Sequence, residues 1–367
     1  MTGFGAFFPS RTVALYMGRM FLVRTFGILA GLVLVLQALD LLSESGKIMA
    51  VQGNGDAQIW YYLSLRVPQI ISTFLPFSVL LGTILTLITM NANSEVIALK
   101  ASGLSAHQVL APLVLASIGV AIVTFGFNER VVARSTSTLS AWQKVNYGPL
   151  PRDSGDRGNV WAATGTNLLQ VDQIHGRGKD AQLRGVTVYL RDKGGTLIGL
   201  IRAPYGKRDG DGWRIWPATR FYVASGRSTK IGSGVVARGV QPEQLTLADV
   251  DADALSFTEL RAAIGDLEAA GRPAKSLEGS LWHKLSGPLS SVLMPLLGAV
   301  AGFGIARSGQ LFIRAVIGMA LGFAYFVADN FALAMGNLGA YPPFLAAWAP
   351  FLLFLLIGEA VLLRTEE

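Results

Sequence analysis

Long apolar segments at both ends of the chain constrain its fold more than any other feature. The hydrocarbon core of a bilayer is about 30 Å thick, and roughly 20 apolar residues in a helix cross it. Three segments of that length come first, at residues 20–42, 67–90 and 109–128. Three more follow a polar stretch, at residues 285–306, 311–335 and from 338 or 343 to 363. The pattern predicts an α-helical membrane protein with six transmembrane helices, three on each side of an inserted domain.

Charged residues are concentrated in the middle of the chain. Only 15% of the residues are charged, against about 25% in soluble domains, which excludes a wholly soluble protein. Residues 128–280 contain 21 Lys and Arg and 16 Asp and Glu, which leaves 10 and 8 for the rest of the sequence. We therefore divide the chain into helices one to three (1–128), a soluble domain (129–280) and helices four to six (281–367).

Basic residues near the predicted helices set the expected orientation, because short cytoplasmic loops are enriched in Lys and Arg. Most of them fall on the ends and loops of one side, which is therefore assigned to the cytoplasm: Arg11, Arg19, Arg24, Lys100, Arg307, Arg314 and Arg364. Lys47 and Arg66 lie in the first loop of the other side. Both termini are expected inside and residues 129–280 outside. The first apolar segment lacks a cleavage site after it, so we expect it to be retained as an anchor.

Short runs of β-forming residues fill the central domain. They occupy residues 168–174, 186–191, 197–201, 213–216 and 220–224, with glycine and charged residues between them. This spacing predicts a β-sandwich or jelly roll. The run Asp209-Gly210-Asp211-Gly212 predicts a hairpin turn. It lacks the later ligands and the closing glutamate of a calcium loop, so we expect no metal there.

A helix is predicted to follow the strands, at about residues 257–270. Ser256 and Glu259 have the spacing of a capping box, in which each side chain accepts a hydrogen bond from the backbone amide of the other. Apolar residues then recur at helical spacing and are followed by two helix-ending residues: Leu260, Ile264, Leu267, Gly271 and Pro273.

The sequence lacks the motifs of the common catalytic and cofactor sites. Residues 304–310 have the glycine spacing of a phosphate loop, but Gln310 stands where the lysine is required. His107, His175 and His283 are far apart, and the chain has no cysteine. We therefore expect no enzyme activity, no metal site and no cofactor bound by this chain.

Two stretches resemble the permease subunits of the lipopolysaccharide-export ABC transporter, the LptF/LptG family. Residues 94–103, Ser-Glu-Val-Ile-Ala-Leu-Lys-Ala-Ser-Gly, look like the family's coupling segment after the second helix. A later stretch looks like the one that leads into the fourth helix, and is closer to LptG than to LptF: Asp253-Ala254-Leu255-Ser256, Leu260, Leu267, Gly271, Trp282 and Lys284. With its three helices, β-rich domain and three further helices, the chain resembles the family over nearly its whole length.

The resemblance implies a multi-pass protein of the bacterial inner membrane with a periplasmic jelly-roll-like domain. It implies a heterodimer with an LptF-like permease, bound to a cytoplasmic ATPase dimer that uses the ATP. Such a complex extracts lipopolysaccharide from the periplasmic leaflet. It passes the lipid to a periplasmic bridge protein with a single membrane anchor, similar to LptC.

Two other interpretations of the sequence stay open. A membrane scaffold without transport activity needs the same helices but no coupling segment. A secondary transporter usually has broken helices with polar residues at the midplane. Here the charges within the predicted helices lie near their ends, which is not the pattern of a secondary transporter.

The resemblance also implies a contact with the ATPase at residues 91–108. Glu95 is expected to pair with an arginine of the ATPase. Val96, Ile97 and Leu99 are expected to fill a groove on that subunit, with Lys100 beside them. The alternative is a solvated loop whose charges have no partner.

The outer end of the first helix departs from the family. LptG-like members carry lysines there that pair with lipid A phosphates, whereas this chain has Gln37, Asp40, Ser43 and Glu44 before its first base. We predict a replacement rim for an anionic head group, made of three bases and an aspartate that holds one of them: Lys47, Arg66 and Lys284, with Asp40 or Asp329. The alternative is that the bases only anchor the helices at the interface.

Inward-facing residues of the strands are expected to form a conduit for acyl chains. The candidates are Leu169, Val171, Val188, Leu190 and Phe221. A jelly roll that carries lipid must leave this interior open at one edge. A closed core made of the same residues is the alternative.

Overall fold

A computed structural model describes residues 10–148, 157–175, 181–192, 194–240, 251–269, 274–302 and 311–364. The chain forms two compact units. The first is helical and comprises Met1–Leu150, Ala252–Arg261 and Lys275–Glu367. The second contains the strands and comprises Pro151–Asp251 and Ala262–Ala274.

The helical unit begins with two long helices and a short one. These are α1 (Arg11–Met49), α2 (Asp56–Ala92) and α3 (Glu95–Ala101). Next come α4 (Ala106–Phe127), a π-helical turn (Asn128–Val132) and α5 (Ala133–Lys144). After the strands, α6 (Phe257–Ala269) starts in the helical unit and ends in the other. The last three helices are α7 (Lys275–Gly302), α8 (Leu311–Asn337) and α9 (Pro343–Arg364).

Five helical segments of the described chain are long and apolar enough to cross a bilayer. They are Arg11–Met49, Asp56–Ala92, Ala106–Lys144, Ile313–Asn337 and Pro343–Arg364. The fourth predicted span corresponds to α7, which is not among these five. The predicted span begins after the polar residues Lys275, Glu278, His283 and Lys284 of this helix and continues past Gly302, where the described residues end. It nevertheless packs against α2, α4, α8 and α9.

The third apolar segment continues beyond its predicted end. The π-helical turn joins α4 to α5 without a break, so the helix runs on to Lys144. Leu139 and Trp142 of α5 are buried in a cluster with Ile48 of α1 and Tyr62 of α2. Residues 129–148 therefore pack with the helices, whereas composition had assigned them to the soluble domain.

Glycines allow close contact between the helices at several points. A Cβ added to Gly82 on α2 clashes with the side chain of Thr25 on α1. A Cβ added to Gly322 on α8 clashes with the side chain of Leu80 on α2. Small residues at such positions let helix backbones approach each other in a membrane, where van der Waals packing drives association.

Six antiparallel strands form a single sheet in the second unit. They are β1 (Arg157–Thr164), β2 (Asn167–His175), β3 (Gln182–Arg191), β4 (Leu197–Asp209), β5 (Gly212–Tyr222) and β6 (Arg227–Val236). Each strand pairs with the next in the order β1-β2-β3-β4-β5-β6. This order is a meander. The described strands thus lack the Greek-key crossovers of the predicted sandwich or jelly roll, because strand patterns specify alternation but not pairing order.

The hairpin predicted at the Asp-Gly run is confirmed. Asp209 pairs with Gly212 at the end of the β4–β5 ladder, and Gly210 in the two-residue loop has a φ of +62°. The runs predicted as separate strands at 213–216 and 220–224 form one strand, β5. Pro217 interrupts its pairing because proline has no N–H to donate, and the register with β6 shifts between Ile215 and Ala218.

The capping box of α6 is also confirmed. The Ser256 amide donates to Glu259 Oε2 at 3.0 Å, and the Glu259 amide donates to Ser256 Oγ at 3.3 Å. The described part of this helix ends at Ala269. Gly271, Pro273 and the rejected phosphate loop at 304–310 lie outside the described residues.

Candidate functional site

An ion pair joins α1 and α2 near the ends of both helices. Arg66 donates from Nε and Nη2 to Asp40 Oδ1, at 3.2 and 3.1 Å. The Tyr62 hydroxyl, one turn before Arg66, donates to Asp40 Oδ2. Arg66 Nη1 donates to Gln69 Oε1 at 2.7 Å, so most of the guanidinium is already bound. Asp40 thus pairs with Arg66, one of the three bases of the predicted rim.

A second carboxylate lies one turn further along α1. Glu44 Oε1 accepts from Lys47 Nζ at 2.7 Å, and Oε2 accepts from the Tyr147 hydroxyl at 2.6 Å. Burial, followed by this hydrogen bond to a carboxylate, raises the pKa of Tyr147 to about 12. Asn54 donates to the backbone carbonyl groups of Ile48 and Tyr147, both at 2.9 Å. We call these residues the α1–α2 cluster: Asp40, Glu44, Lys47, Tyr62, Arg66 and Tyr147.

A third carboxylate pairs with a histidine between α7 and α8. Asp329 Oδ2 lies 2.9 Å from His283 Nε2. Asp329 is 8% exposed, and its Oδ1 has no hydrogen-bond partner among the described residues. Lys284, the next residue on α7, is half-buried. Asp329 therefore contacts a histidine that the predicted rim did not include.

The predicted coupling segment forms α3, and a residue with a positive φ lies on each side of this helix. Ser94 has a φ of +62° and Gly103 has a φ of +91°. Glu95 Oε1 accepts from the Tyr16 hydroxyl on α1 and from Asn93 Nδ2, both at 3.3 Å. The two bonds fix the carboxylate at the first turn of α3.

The apolar residues of α3 point in different directions. Val96 is 3% exposed and belongs to the core of the helical unit, and Leu99 packs against that core. Ile97 is 50% exposed. Val96 therefore cannot fill a groove on another protein while this core is intact, which corrects that part of the sequence interpretation. Ile97 and the exposed Lys100 remain accessible.

Four of the five conduit candidates lie on one side of the sheet. Leu169, Val171 and Val188 belong to its buried core, and Leu190 packs against them. Leu169 pairs with Val188, and Val188 with Ile201, so their side chains share one face.

Phe221 lies on the other face. It pairs with Leu200, which pairs with Tyr189, and Tyr189 follows Val188 in β3. Adjacent residues of a strand point to opposite faces. The sequence interpretation placed Phe221 inward because it lacked the register between β4 and β5.

Similarity to known proteins extends over almost the whole chain. A model of the family described as "Lipopolysaccharide export system permease LptF/LptG" matches residues 15–364. The chain belongs to the LptF/LptG family. It is 26% identical to the lipopolysaccharide export system permease protein LptG of Escherichia coli K12 over 339 residues, which cover 90% of this chain and 91% of that protein. It is 23% identical to LptG of Haemophilus influenzae over 330 residues, which cover 86% and 89%.

The hydrogen-bond partners of the carboxylates in this LptF/LptG family member were not predicted from the sequence. Tyr16, Tyr62 and Tyr147 each donate to an acidic side chain, and His283 contacts Asp329. The one available signal was His283, which directly precedes the predicted head-group base on α7. The three tyrosines have no distinctive local pattern.

Glu129 was missed as well. It lies in the π-helical turn after α4, where the helix changes its spacing. Its Oε2 accepts from the Phe257 amide at 2.6 Å, and its Oε1 accepts from the Thr258 amide at 3.3 Å and the Thr258 hydroxyl at 3.0 Å. A carboxylate at a helix N-terminus is favourable because the first amides have no partner within the helix. In this family member, Glu129 thus attaches the start of α6 to the end of α4.

Proposed function

We propose that this chain is a transmembrane subunit of an ABC exporter that extracts lipopolysaccharide from the periplasmic leaflet of the inner membrane. The observation that carries the proposal is membership of the LptF/LptG family over residues 15–364. The relatives found are themselves named lipopolysaccharide export system permease proteins. Five apolar helices long enough to cross a bilayer support a role within the membrane.

The proposed topology has six crossings, with both termini in the cytoplasm and the sheet in the periplasm. The sixth crossing is α7, which packs against four other helices and so belongs inside the bundle. Arginine and lysine at the cytoplasmic ends support the orientation. An LptF-like permease completes the heterodimer in this proposal, and an LptC-like bridge receives the lipid from the sheet.

The energy for extraction comes, in this proposal, from ATP hydrolysis by a separate cytoplasmic ATPase dimer. This chain binds no cofactor itself. The ATPase contacts α3 through Glu95, Ile97 and Lys100. The exposure of Ile97 supports this assignment, because burial of an exposed apolar side chain against a partner stabilises the complex.

The head group binds, in this proposal, at a rim formed by Lys47, Arg66 and Lys284. In the described structure Lys47 and Arg66 are each paired with a carboxylate of α1. A lipid phosphate therefore has to compete with Asp40 for Arg66 and with Glu44 for Lys47. Such competition holds the bases in position without a ligand and lets the lipid leave after each cycle.

The acyl chains pass, in this proposal, along the face of the sheet that carries Leu169, Val171, Val188 and Leu190. These residues are buried or half-buried in the described structure, so lipid entry requires strands or covering segments to separate. Photo-crosslinkers at these positions are expected to capture lipopolysaccharide only during ATP turnover. A crosslinker at Phe221, on the other face, is the matched control.

Reconstitution tests the proposed function. The chain is purified with an LptF-like permease and the ATPase dimer, placed in proteoliposomes with lipopolysaccharide, and supplied with a soluble bridge domain. We expect transfer of lipid to the bridge with ATP and none with a non-hydrolysable analogue. Transfer driven by an ion gradient without ATP would identify a secondary transporter. Assembly without lipid transfer under any condition would identify a scaffold.

A further inference from the structure

A groove of about 360 Å³ lies on α1, away from the predicted head-group rim. Its lining residues are Tyr16, Arg19, Met20, Val23 and Arg24. They are spaced three, four, seven and eight residues from Tyr16, which places them on one face of the helix. Tyr16 and Val23 are 49% and 64% exposed, so this face is accessible from outside the unit.

The groove is basic. Arg19 is exposed and makes no hydrogen bond or ion pair with any described residue. Arg24 donates from Nη1 to the carbonyl oxygen of Leu85 on α2 at 2.6 Å, which fixes its guanidinium and leaves its other N–H groups available. The nearby carboxylate of Glu95 accepts from Tyr16. The lining of the groove thus contains two arginines and no acidic residue.

The position of the groove along α1 suits a lipid head group. From Tyr16 to Arg24 the helix rises about 12 Å, and the uncharged part of α1 begins directly after Arg24. Guanidinium groups bind phosphate oxygens in a bidentate manner, and Met20 and Val23 provide apolar contact for the start of an acyl chain.

We propose that this groove binds the phosphate of an anionic phospholipid on the cytoplasmic surface of the membrane. The assignment of the groove to the cytoplasmic surface rests on the proposed topology. The assignment of an anionic ligand does not, because it rests on the residues that line the groove. Arg19 and Arg24 bind the phosphate, and Tyr16 lies at the edge of the groove. Because the Tyr16 hydroxyl also donates to Glu95, the bound lipid lies beside the first turn of α3. This site differs from the periplasmic rim in position and in ligand.

Native mass spectrometry of the full chain in detergent tests the proposal. The probes are dioleoyl-phosphatidylglycerol and, as the neutral control, dioleoyl-phosphatidylcholine. We expect Arg19→Gln to reduce phosphatidylglycerol affinity about fivefold and Arg19→Gln/Arg24→Gln to reduce it further, with phosphatidylcholine binding unchanged. Arg11→Gln is the matched control, because Arg11 is an exposed arginine of the same helix outside the groove.

The single variant keeps the test interpretable. Arg19 contacts no described partner, so its substitution is expected to leave the fold intact, whereas Arg24 also holds the Leu85 carbonyl group. Equal phosphatidylglycerol affinity of the wild type, Arg19→Gln and Arg11→Gln would overturn the proposal. So would reduced association with the ATPase at unchanged lipid affinity, which would assign the groove to that protein. Lipid binding is measured without ATP or export, so its failure is distinct from failure of the proposed function.

Discussion

Arg66 Nη2 on α2 lies 3.1 Å from Asp40 Oδ1 on α1, although the two residues are 26 positions apart in the sequence. Both side chains are partly exposed, so the pair contributes little to stability. Exposed pairs are typically worth about 0–1 kcal/mol. In the proposed head-group rim the role of the pair is positional, because the Asp40 carboxylate binds the guanidinium that the proposal assigns to a lipid phosphate.

Substitution of these two residues should have opposite effects on lipid binding. Asp40→Asn removes the competing charge, so we expect severalfold tighter binding of lipopolysaccharide to the assembled complex. Arg66→Glu should weaken lipid-stimulated ATPase activity without preventing assembly. Asp56→Asn, at the start of α2, is the matched control for Asp40→Asn. If Asp40→Asn binds lipid more weakly, the carboxylate does not compete with the head group.

The two adjacent apolar residues of α3 should separate binding from stability. Ile97→Asp should abolish ATPase association at an unchanged melting temperature, because Ile97 is exposed. Val96→Ala should instead destabilise the chain by about 2 kcal/mol, since it removes buried methyl groups and leaves a cavity. Pull-down with the ATPase and thermal unfolding measure the two effects. Normal association of Ile97→Asp would remove the contact assigned to this face.

The Glu95 carboxylate is expected to be needed for the same association. Glu95→Lys reverses the charge offered to an ATPase arginine and should lose ATP-driven export. Tyr16→Phe removes one of the two hydrogen bonds to Glu95 and should have a smaller effect. Normal lipid export by Glu95→Lys would refute the coupling role.

Single cysteines should report the topology directly, because the chain has none of its own. A cysteine at Asp211, in the β4–β5 hairpin, is expected to react with an impermeant thiol reagent added to the periplasmic side. A cysteine at Arg11 should react only after the inner membrane is opened. The reverse pattern would invert the orientation.

Removal of the Glu129 carboxylate should loosen the start of α6. Glu129→Ala leaves the amides of Phe257 and Thr258 without their acceptors, at a cost of about 1 kcal/mol. Hydrogen exchange at these two amides should then accelerate about fivefold. Glu268→Ala, near the other end of α6, is the control and should leave them unchanged. Equal exchange in both variants would show that the contact does not hold the helix.

The sequence alone determined the features that depend on neighbours within a few residues. Apolar length predicted the long helices, Ser256 and Glu259 predicted the start of α6, and the Asp-Gly run predicted the β4–β5 hairpin. Each is specified by short-range backbone geometry or by the thickness of a bilayer. The resemblance to the LptF/LptG family rested on short stretches of residues as well, and the family match over residues 15–364 confirmed it.

Only the tertiary structure decided which side chains meet. The tertiary structure pairs Asp40 with Arg66 and Asp329 with His283. It also buries Val96 in the core and leaves Ile97 exposed. The physical reason is that these contacts depend on how helices rotate and strands register against distant partners. A one-residue change of register moves a side chain to the opposite face of a sheet, as the position of Phe221 illustrates.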